Sequence, residues 1–291
     1  MTVLEAIQKS SDFLGKKNVE SARLNAELLL AHLLKMPRMK LYLNFERALS
    51  QNETDALREL VRRRGQREPL QHITGATSFC GIEIAVNKNA LVPRPETELL
   101  AEAGWNFLSA LNSQNATALD FGTGTGCIAL ALAAKCPGAK IFALDASTDA
   151  LILARQNAAT NQVSERIEFF HGDGFAVLPK TRFDLIVSNP PYIPSAEIET
   201  LQPEVRDFDP RAALDGGADG LDFYRMFATQ AKSLLKPDGK IMLEFGDGQA
   251  DGIRQIFEIE KWIVEAVKED YSQRARILIA KISTTDGHGF F

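Results

Sequence analysis

From residue 94 onward, short apolar runs alternate with stretches of helical periodicity, and this rhythm constrains the fold more than any other feature. The runs typical of buried strands are ATALDF, KIFALD, RIEFF, FDLIVS and KIMLEF. Such alternation is typical of a parallel sheet covered by helices on both faces. Two further runs, WIVEAV and RILIAKI, are joined by a connection too short for a helical crossover, so they should pair antiparallel. The sequence therefore predicts an α/β domain over residues 94–283, built on a seven-stranded mixed sheet.

The first 75 residues have helical periodicity instead. Their amphipathic stretches predict a small helical-bundle domain over residues 1–75, with Ser21 and Asn52 as candidate helix N-caps. The segment ATSFCGIEIAV contains two β-prone runs around a glycine and predicts a β-hairpin linker over residues 76–93. Residues 284–291 are polar and glycine-rich until their end, so we expect a flexible tail there.

Composition excludes several classes of protein. A net charge of −5 argues against a broad electrostatic nucleic-acid binder, which would normally be strongly basic. The three cysteines lack CxxC spacing and the four histidines are scattered, so neither a disulfide framework nor a metal site is indicated. The N-terminal stretch lacks the pattern of a secretory signal, and no apolar run reaches the length of a membrane span. We expect a cytoplasmic monomer.

A glycine-rich turn, LDFGTGTGC, stands between the first strand of this domain and the following helix. Gly122, Gly124 and Gly126 let the backbone pass close to a ligand, and Thr123 lies between the first two of them. Cys127 stands where a dinucleotide fingerprint has its last glycine, which weakens a pyrophosphate cradle. The pattern therefore indicates a nucleoside site that does not depend on phosphate groups.

Acidic residues lie at three successive strand ends. Asp120 precedes the glycines, Asp145 ends the second strand and Asp173 follows the third, with Gly174 beside it. Ligands of open α/β sheets bind at the carboxyl ends of the strands, where acids can take ribose hydroxyls or an ammonium group. Together these positions favour S-adenosylmethionine over NAD as the cofactor.

The fourth strand ends at SNPPY, which places Asn189, Pro190, Pro191 and Tyr192 on the same rim. A planar NH₂ group is a poor nucleophile, because its lone pair is delocalised. Acceptors around its two hydrogens, the Asn189 side-chain oxygen and the Pro190 carbonyl, would orient the lone pair and stabilise the developing positive charge. Tyr192 offers a face for stacking. The motif predicts methyl transfer to a planar nitrogen, with Asn189 and Pro190 as catalytic residues.

The NPPY motif and the glycine turn together resemble class I (Rossmann-like) methyltransferases that modify planar NH₂ groups. Longer stretches, REPLQHITGATSFCGIEIAVNKNALVPRPETE, EVRDFDPRAALDGGADGLDFYR and IMLEFGDGQ, narrow the resemblance to the HemK/PrmC family. That family methylates the glutamine amide in the Gly-Gly-Gln loop of class-1 peptide chain release factors, which would be the protein partner here. The PRPETE stretch favours release factors over the ribosomal-protein glutamine that a related family modifies.

The resemblance implies cofactor contacts by Gly122, Gly124, Asp145, Asp173 and the Asn189 backbone, with S-adenosylhomocysteine as the product. It also gives the helical domain a use, as a docking surface for the acceptor protein. Two positions depart from the family pattern: Gly174 stands where an aromatic often follows the third acid, with Phe175 as its possible substitute, and His72 replaces a more usual tyrosine.

Other functions stay open from the sequence. A DNA adenine methyltransferase would share the NPPY motif, but the acidic net charge and the lack of an obvious target-recognition insert argue against it. A non-enzymatic binding module with a relict cofactor pocket is a second alternative, against which the intact Asn189 motif argues.

Overall fold

The computed structural model describes residues 1–283; the predicted tail at 284–291 lies outside the described residues. Eleven α-helices occur in this described part of the chain: α1 Val3–Lys16, α2 Ala22–Leu33, α3 Arg38–Tyr42, α4 Gln51–Gly65, α5 Leu70–Thr74, α6 Pro95–Ala110, α7 Cys127–Lys135, α8 Thr148–Thr160, α9 Pro203–Arg206, α10 Asp222–Gln230 and α11 Ala250–Ile259. Within the same residues there are nine strands: β1 Ala76–Phe79, β2 Ile82–Ala85, β3 Thr117–Phe121, β4 Lys140–Asp145, β5 Ile167–His171, β6 Phe183–Ser188, β7 Leu235–Glu244, β8 Trp262–Glu269 and β9 Ala275–Ile282.

The chain divides into two compact units. Among the described residues, the first contains 1–76 together with the returning segment 202–208, and the second contains 77–201 and 209–283. The return of 202–208, which includes α9, to the helical unit is a feature that the sequence did not indicate.

Local capping signals explain where the helices of the first unit begin. α1 and α4 each start with a capping box, formed by Thr2 with Glu5 and by Ser50 with Glu53. The expected cap at Asn52 is therefore wrong, because the helix already begins at Gln51. Ser21 does precede α2, but its backbone is left-handed, with φ of 48°, and its side chain makes no capping hydrogen bond. A side-chain cap needs an extended N-cap residue.

An apolar core and one charged cluster hold the first unit together. The core side chains come mainly from α1, α2 and α4: Val3, Ile7, Leu14, Leu29, Leu30 and Leu57. Beside this core, Arg64 is 6% exposed and donates to Asn25 Oδ1 at 2.8 Å and to Glu204 Oε1 at 2.9 Å. Arg67 also donates to the Glu204 carboxylate, at 2.7 Å and 2.6 Å. Arg64 in the last turn of α4 and Arg67 just after it therefore bind the returning segment.

The second unit is built on the predicted seven-stranded mixed sheet, in the order β5-β4-β3-β6-β7-β9-β8. Strands β3 to β7 pair in parallel, and β9 pairs antiparallel with both β7 and β8. The antiparallel pairing of the last two runs is confirmed. Because β4 and β5 lie on one side of β3 while β6 lies on the other, the strand order reverses between β3 and β6.

Successive strand residues enter two opposite cores. Ala118 packs with the core beneath α6 and α7, whereas its neighbour Leu119 packs with the core beneath α10 and α11. The β1–β2 hairpin, predicted as a linker, contributes Phe79 and Ile84 to the first of these cores. The sheet is thus buried on both faces, which leaves the carboxyl ends of its parallel strands as the place for a ligand.

No helix in residues 1–283 is both long and apolar enough to span a membrane.

Candidate active site

A cavity of about 350 Å³ lies at the carboxyl ends of the parallel strands in the second unit. This volume falls within the usual range for small-ligand sites. Four chain segments that follow β3, β4, β5 and β6 line it, together with residues before α6 and around Pro210. The predicted site residues among its lining are Gly122, Thr123, Gly124, Asp145, Asp173, Asn189, Pro190 and Pro191. The structure therefore brings these predicted residues together in one cavity.

The glycine turn after β3 brings backbone close to the cavity. Gly122 has φ of +71°, and a Cβ built on it would meet nothing within 4 Å. The backbone N–H groups of Gly122 and Thr123 donate to Leu144 O at 2.8 Å and 2.9 Å, which ties the turn to β4. This strained, open conformation suits a glycine whose backbone must approach a ligand. Gly126 does not line the cavity; its missing Cβ would lie 2.8 Å from Leu130 Cδ1, so it serves the packing of α7.

Asp120 lies beneath this turn and is not part of the cavity lining. It is fully buried, and its Oδ2 accepts from Thr123 Oγ1 at 2.6 Å and from Ala129 N at 3.0 Å. Its other oxygen, Oδ1, is buried with no hydrogen-bond partner among the described residues. Burial raises the pKa of Asp120 to about 7, against the lowering effect of those hydrogen bonds. The geometry gives Asp120 the task of holding the turn, while a direct cofactor contact stays a prediction.

Asp145 and Asp173 give the cavity a negative wall. Asp145 ends β4, and its carboxylate accepts from Gly124 N at 2.7 Å and from Ser147 N at 2.8 Å. Both carboxylates retain lone pairs that can accept from ligand hydroxyl or ammonium groups. Gly174 is extended and does not line the cavity, and Phe175 packs into the core against Phe121 at 5.0 Å between ring centroids. The stacking role suggested for Phe175 is therefore not supported by its position.

The segment after β6 closes the reacting side. Ser188 Oγ donates to Phe121 O at 2.6 Å, which ties the ends of β6 and β3 together just before Asn189. Tyr192 does not line the cavity. It packs with the core instead, its carbonyl accepts from Gln249 Nε2 at 2.9 Å, and burial raises its pKa to about 12. Stacking of a substrate on the Tyr192 ring stays a prediction.

Two residues beside Asn189 were missed by the sequence reasoning. Thr97, in the first turn of α6, accepts from Asn189 Nδ2 at 3.1 Å. Glu244 lies at the end of β7; burial raises its pKa to about 7 and outweighs the Thr97 side chain, which lowers it. A glutamate that closes the apolar run KIMLEF was a signal of the same kind as the other acids at strand ends, and could have been recognised.

An ion pair also belongs to the cavity wall. Arg94 lines the cavity and donates to Asp209 Oδ2 at 2.9 Å. The Asp209 side chain is only 1% exposed, and burial raises its pKa to about 6 although Arg94 opposes that rise. Because Asp209 neutralises Arg94, the charge that the cavity presents to a ligand comes from Asp145 and Asp173. Such a wall accommodates a cationic ligand better than a phosphate.

The described residues contain no cluster of three or more His, Cys, Asp or Glu side chains able to hold a metal ion.

A sheet of this order, with a glycine turn after β3, acids after β4 and β5 and an Asn-Pro-Pro segment after β6, defines a class I methyltransferase fold. Family models agree: residues 5–75 match the PrmC N-terminal domain and residues 101–202 match the methyltransferase small domain. A solved methyltransferase from Pyrococcus furiosus shares the fold at 21% identity and a TM-score of 0.50, over 69% of this chain and 88% of that one.

The relatives define the family more narrowly. A protein named release factor glutamine methyltransferase from Geobacter sulfurreducens is 44% identical over 88% of this chain and 88% of its own length. Another of the same name from Chlorobaculum tepidum is 41% identical over 94% of this chain and 95% of its own length. The chain belongs to the release factor glutamine methyltransferase family.

Proposed function

We propose that this protein is an enzyme that methylates the side-chain amide nitrogen of the glutamine in the Gly-Gly-Gln motif of class-1 peptide chain release factors. The observation that carries the proposal is the position of Asn189, Pro190 and Pro191 on the wall of the same cavity as the glycine turn. Names of relatives that align with nearly the whole chain support this acceptor.

S-adenosylmethionine fits the residues that line the cavity. It is a cationic nucleoside without phosphates, which suits a wall with two unneutralised carboxylates: Asp145 would accept from the ribose hydroxyls, and Asp173 lies on the side proposed for the adenine. Gly122 leaves space for a ligand against the backbone, and no cluster of cationic side chains is there to bind phosphates. When bound, this cofactor supplies an electrophilic methyl group and leaves as S-adenosylhomocysteine.

Asn189 and Pro190 then act on the acceptor. The Asn189 Oδ1 and the Pro190 carbonyl accept from the two hydrogens of the glutamine amide, which turns the nitrogen lone pair toward the methyl group. The same two oxygens stabilise the positive charge that develops on nitrogen during transfer. The alkylated nitrogen is positively charged and acidic, and it loses one proton to water to give the neutral N-methyl amide, so no strong general base is needed before the transfer.

The remaining properties follow from this acceptor. Release factors act in translation, so we propose a cytoplasmic enzyme. The acidic net charge supports a protein that forms no stable complex with nucleic acid, and we propose that it acts as a monomer. The helical unit would supply the docking surface that a large acceptor needs beyond the cavity.

The variant Asn189→Ala tests the proposed chemistry. We expect methyl transfer to purified release factor to fall at least about 100-fold, by analogy with the loss of one preorganised group in other active sites. Binding of S-adenosylmethionine, measured by calorimetry, should persist. Asn115→Ala, at an exposed site away from the cavity, is the matched control and should transfer like the wild type. Full activity of Asn189→Ala would contradict the proposed role.

A further inference from the structure

The side chain of Asn189 is held at its amino end. Its Nδ2 donates to Thr97 Oγ1, and Thr97 is only 3% exposed. With the amino group engaged there, the other end of the amide, Oδ1, is left for the reacting nitrogen. The orientation matters because a flipped amide would present hydrogens to the hydrogens of the substrate NH₂ group.

The Thr97 hydroxyl has a single hydrogen, so its partners set its direction. Since it accepts from Asn189, its own hydrogen must go to another acceptor. Burial raises the pKa of Glu244 to about 7, while the Thr97 side chain lowers it, which is the effect of a hydroxyl turned toward that carboxyl group. The group is ionised above that pH and can then only accept hydrogen bonds. In that form its charge sets the direction of the Thr97 hydroxyl, and through it the orientation of the Asn189 amide.

Sheet register explains why these groups meet. β6 and β7 pair in parallel, with Ser188 opposite Leu243, so Asn189 and Glu244 follow directly at neighbouring strand ends. Thr97 reaches the same place from the first turn of α6, which begins right after Arg94 of the cavity wall. Three separate elements thus converge at the reacting side of the cavity, where Thr97 and Asn189 both belong to the lining.

Burying Glu244 lowers the stability of the fold, so a purely structural contact does not explain why a glutamate stands here. It is 1% exposed, and its Oε2 has no hydrogen-bond partner among the described residues. Leaving a buried charged group incompletely satisfied destabilises the fold, and a neutral side chain would hold Thr97 at lower cost. Buried charged groups with unsatisfied hydrogen-bonding atoms are expected mainly at functional sites, where they are kept for their role.

We propose that Thr97 and Glu244 are positioning residues for methyl transfer, acting through the side-chain amide of Asn189. The inference rests on the function proposed above. The contacts from Glu244 through Thr97 fix the Asn189 amide with its Oδ1 toward the nitrogen that receives the methyl group. When Glu244 is ionised, its charge also polarises the Asn189 amide through Thr97 and makes Oδ1 a stronger acceptor. Both effects stabilise the positive charge on nitrogen in the transition state more than they stabilise the bound glutamine.

The test begins with Thr97→Val, which removes the hydroxyl and keeps the shape. We expect kcat for release factor to fall about 10- to 100-fold, the range seen when supporting residues of a site are lost. The KM for release factor and the Kd for S-adenosylmethionine should stay within about twofold of the wild type, because the contact acts mainly in the transition state. Thr97→Ser restores the hydroxyl and should recover most of kcat, whereas a role in packing alone would not be rescued by the smaller side chain.

A double-mutant cycle tests whether the two residues act as one unit. Glu244→Gln should lower kcat, because a neutral amide no longer dictates the direction of the Thr97 hydroxyl. In the double variant with Thr97→Val, the loss should equal that of Thr97→Val alone. Thr54→Val, a buried threonine of α4, is the matched control and should leave kcat unchanged. Independent, multiplying losses, or wild-type kcat in Thr97→Val, would overturn the proposal.

A nuclear magnetic resonance measurement separates this inference from the proposed function. The side-chain NH₂ signals of Asn189, assigned by their loss in Asn189→Asp, should exchange slowly with solvent in the wild type and rapidly in Thr97→Val, with no acceptor present. Equal exchange rates in the two proteins would contradict the proposed hold of Thr97 on the Asn189 amide. Absence of methyl transfer by the wild type contradicts the proposed function instead.

Discussion

Glu204 gives the most direct prediction about stability, because it connects the returning segment to α4 within the helical unit. Its carboxylate receives three hydrogen bonds from Arg64 and Arg67, at 2.9, 2.7 and 2.6 Å. Burial favours the neutral form of Glu204, but the hydrogen bonds from Arg67 and Arg64 outweigh it, so its pKa lies below the ordinary value. Glu204→Ala leaves the buried Arg64 guanidinium without this partner.

The expected cost follows from how buried the pair is. Removing one partner of a fully buried ion pair costs about 3–5 kcal/mol. The Glu204 side chain is 18% exposed and that of Arg64 is 8% exposed. We therefore expect about 2 kcal/mol, below the fully buried range because water screens part of the pair. In terms of local opening, this corresponds to about 30-fold faster amide exchange.

Hydrogen exchange followed by mass spectrometry on the full chain measures this effect. Peptides from the C-terminal half of α4 should exchange faster in Glu204→Ala, while those from β3 and β6 should not change. Glu59→Ala is the matched control, since Glu59 pairs with Arg62 on the same helix but both side chains are 54% exposed. In the wild type, the added protection should be present above pH 4.5 and be lost as the pH falls below it. Equal exchange in Glu204→Ala and the wild type, or equal acceleration by the control, would refute the reasoning.

Three further predictions concern the cavity and its support. Asp145→Asn should weaken S-adenosylmethionine binding about fivefold to tenfold, because an ionised oxygen accepts about 1–1.5 kcal/mol more strongly than the neutral amide oxygen that replaces it, and calorimetry showing an unchanged Kd would contradict this. Ser50→Ala should destabilise the helical unit by about 1 kcal/mol in urea unfolding, while Ser50→Thr, which can still cap α4, should not. Asp120→Asn should gain stability relative to the wild type as the pH rises from 3.8 to about 7. The raised pKa of Asp120 means that the folded wild type holds a proton that the unfolded chain has released, so denaturant unfolding with no pH-dependent difference would refute it.

The apolar runs in the sequence predicted the sheet well, because each buried strand of an α/β fold is a short apolar segment that ends at polar or glycine residues. The strand ends, in turn, brought Gly122, Asp145 and Asn189 to one cavity, since parallel strands share their carboxyl edge. The cap at Asn52 failed for a local reason: Ser50 with Glu53 forms a complete capping box two residues earlier. Such competition between neighbouring polar residues is hard to decide from propensity alone.

Contacts between residues distant in sequence could not be predicted. Glu204 is far from Arg64 along the chain, and the sequence around it carries no sign that it returns to the helical unit. Tyr192 shows the same limit, because its position in a motif did not reveal that its ring packs into the core. Thr97 and Glu244 became visible only when three elements met behind Asn189.

The central claim is that this chain methylates a release-factor glutamine. The most direct test incubates the wild type and labelled S-adenosylmethionine with unmethylated release factor, with the same factor lacking the Gly-Gly-Gln glutamine, and with adenine-containing DNA. The account predicts label on the unaltered factor alone, and mass spectrometry that finds the methyl group on that glutamine. Label on DNA, with none on either protein, would contradict it.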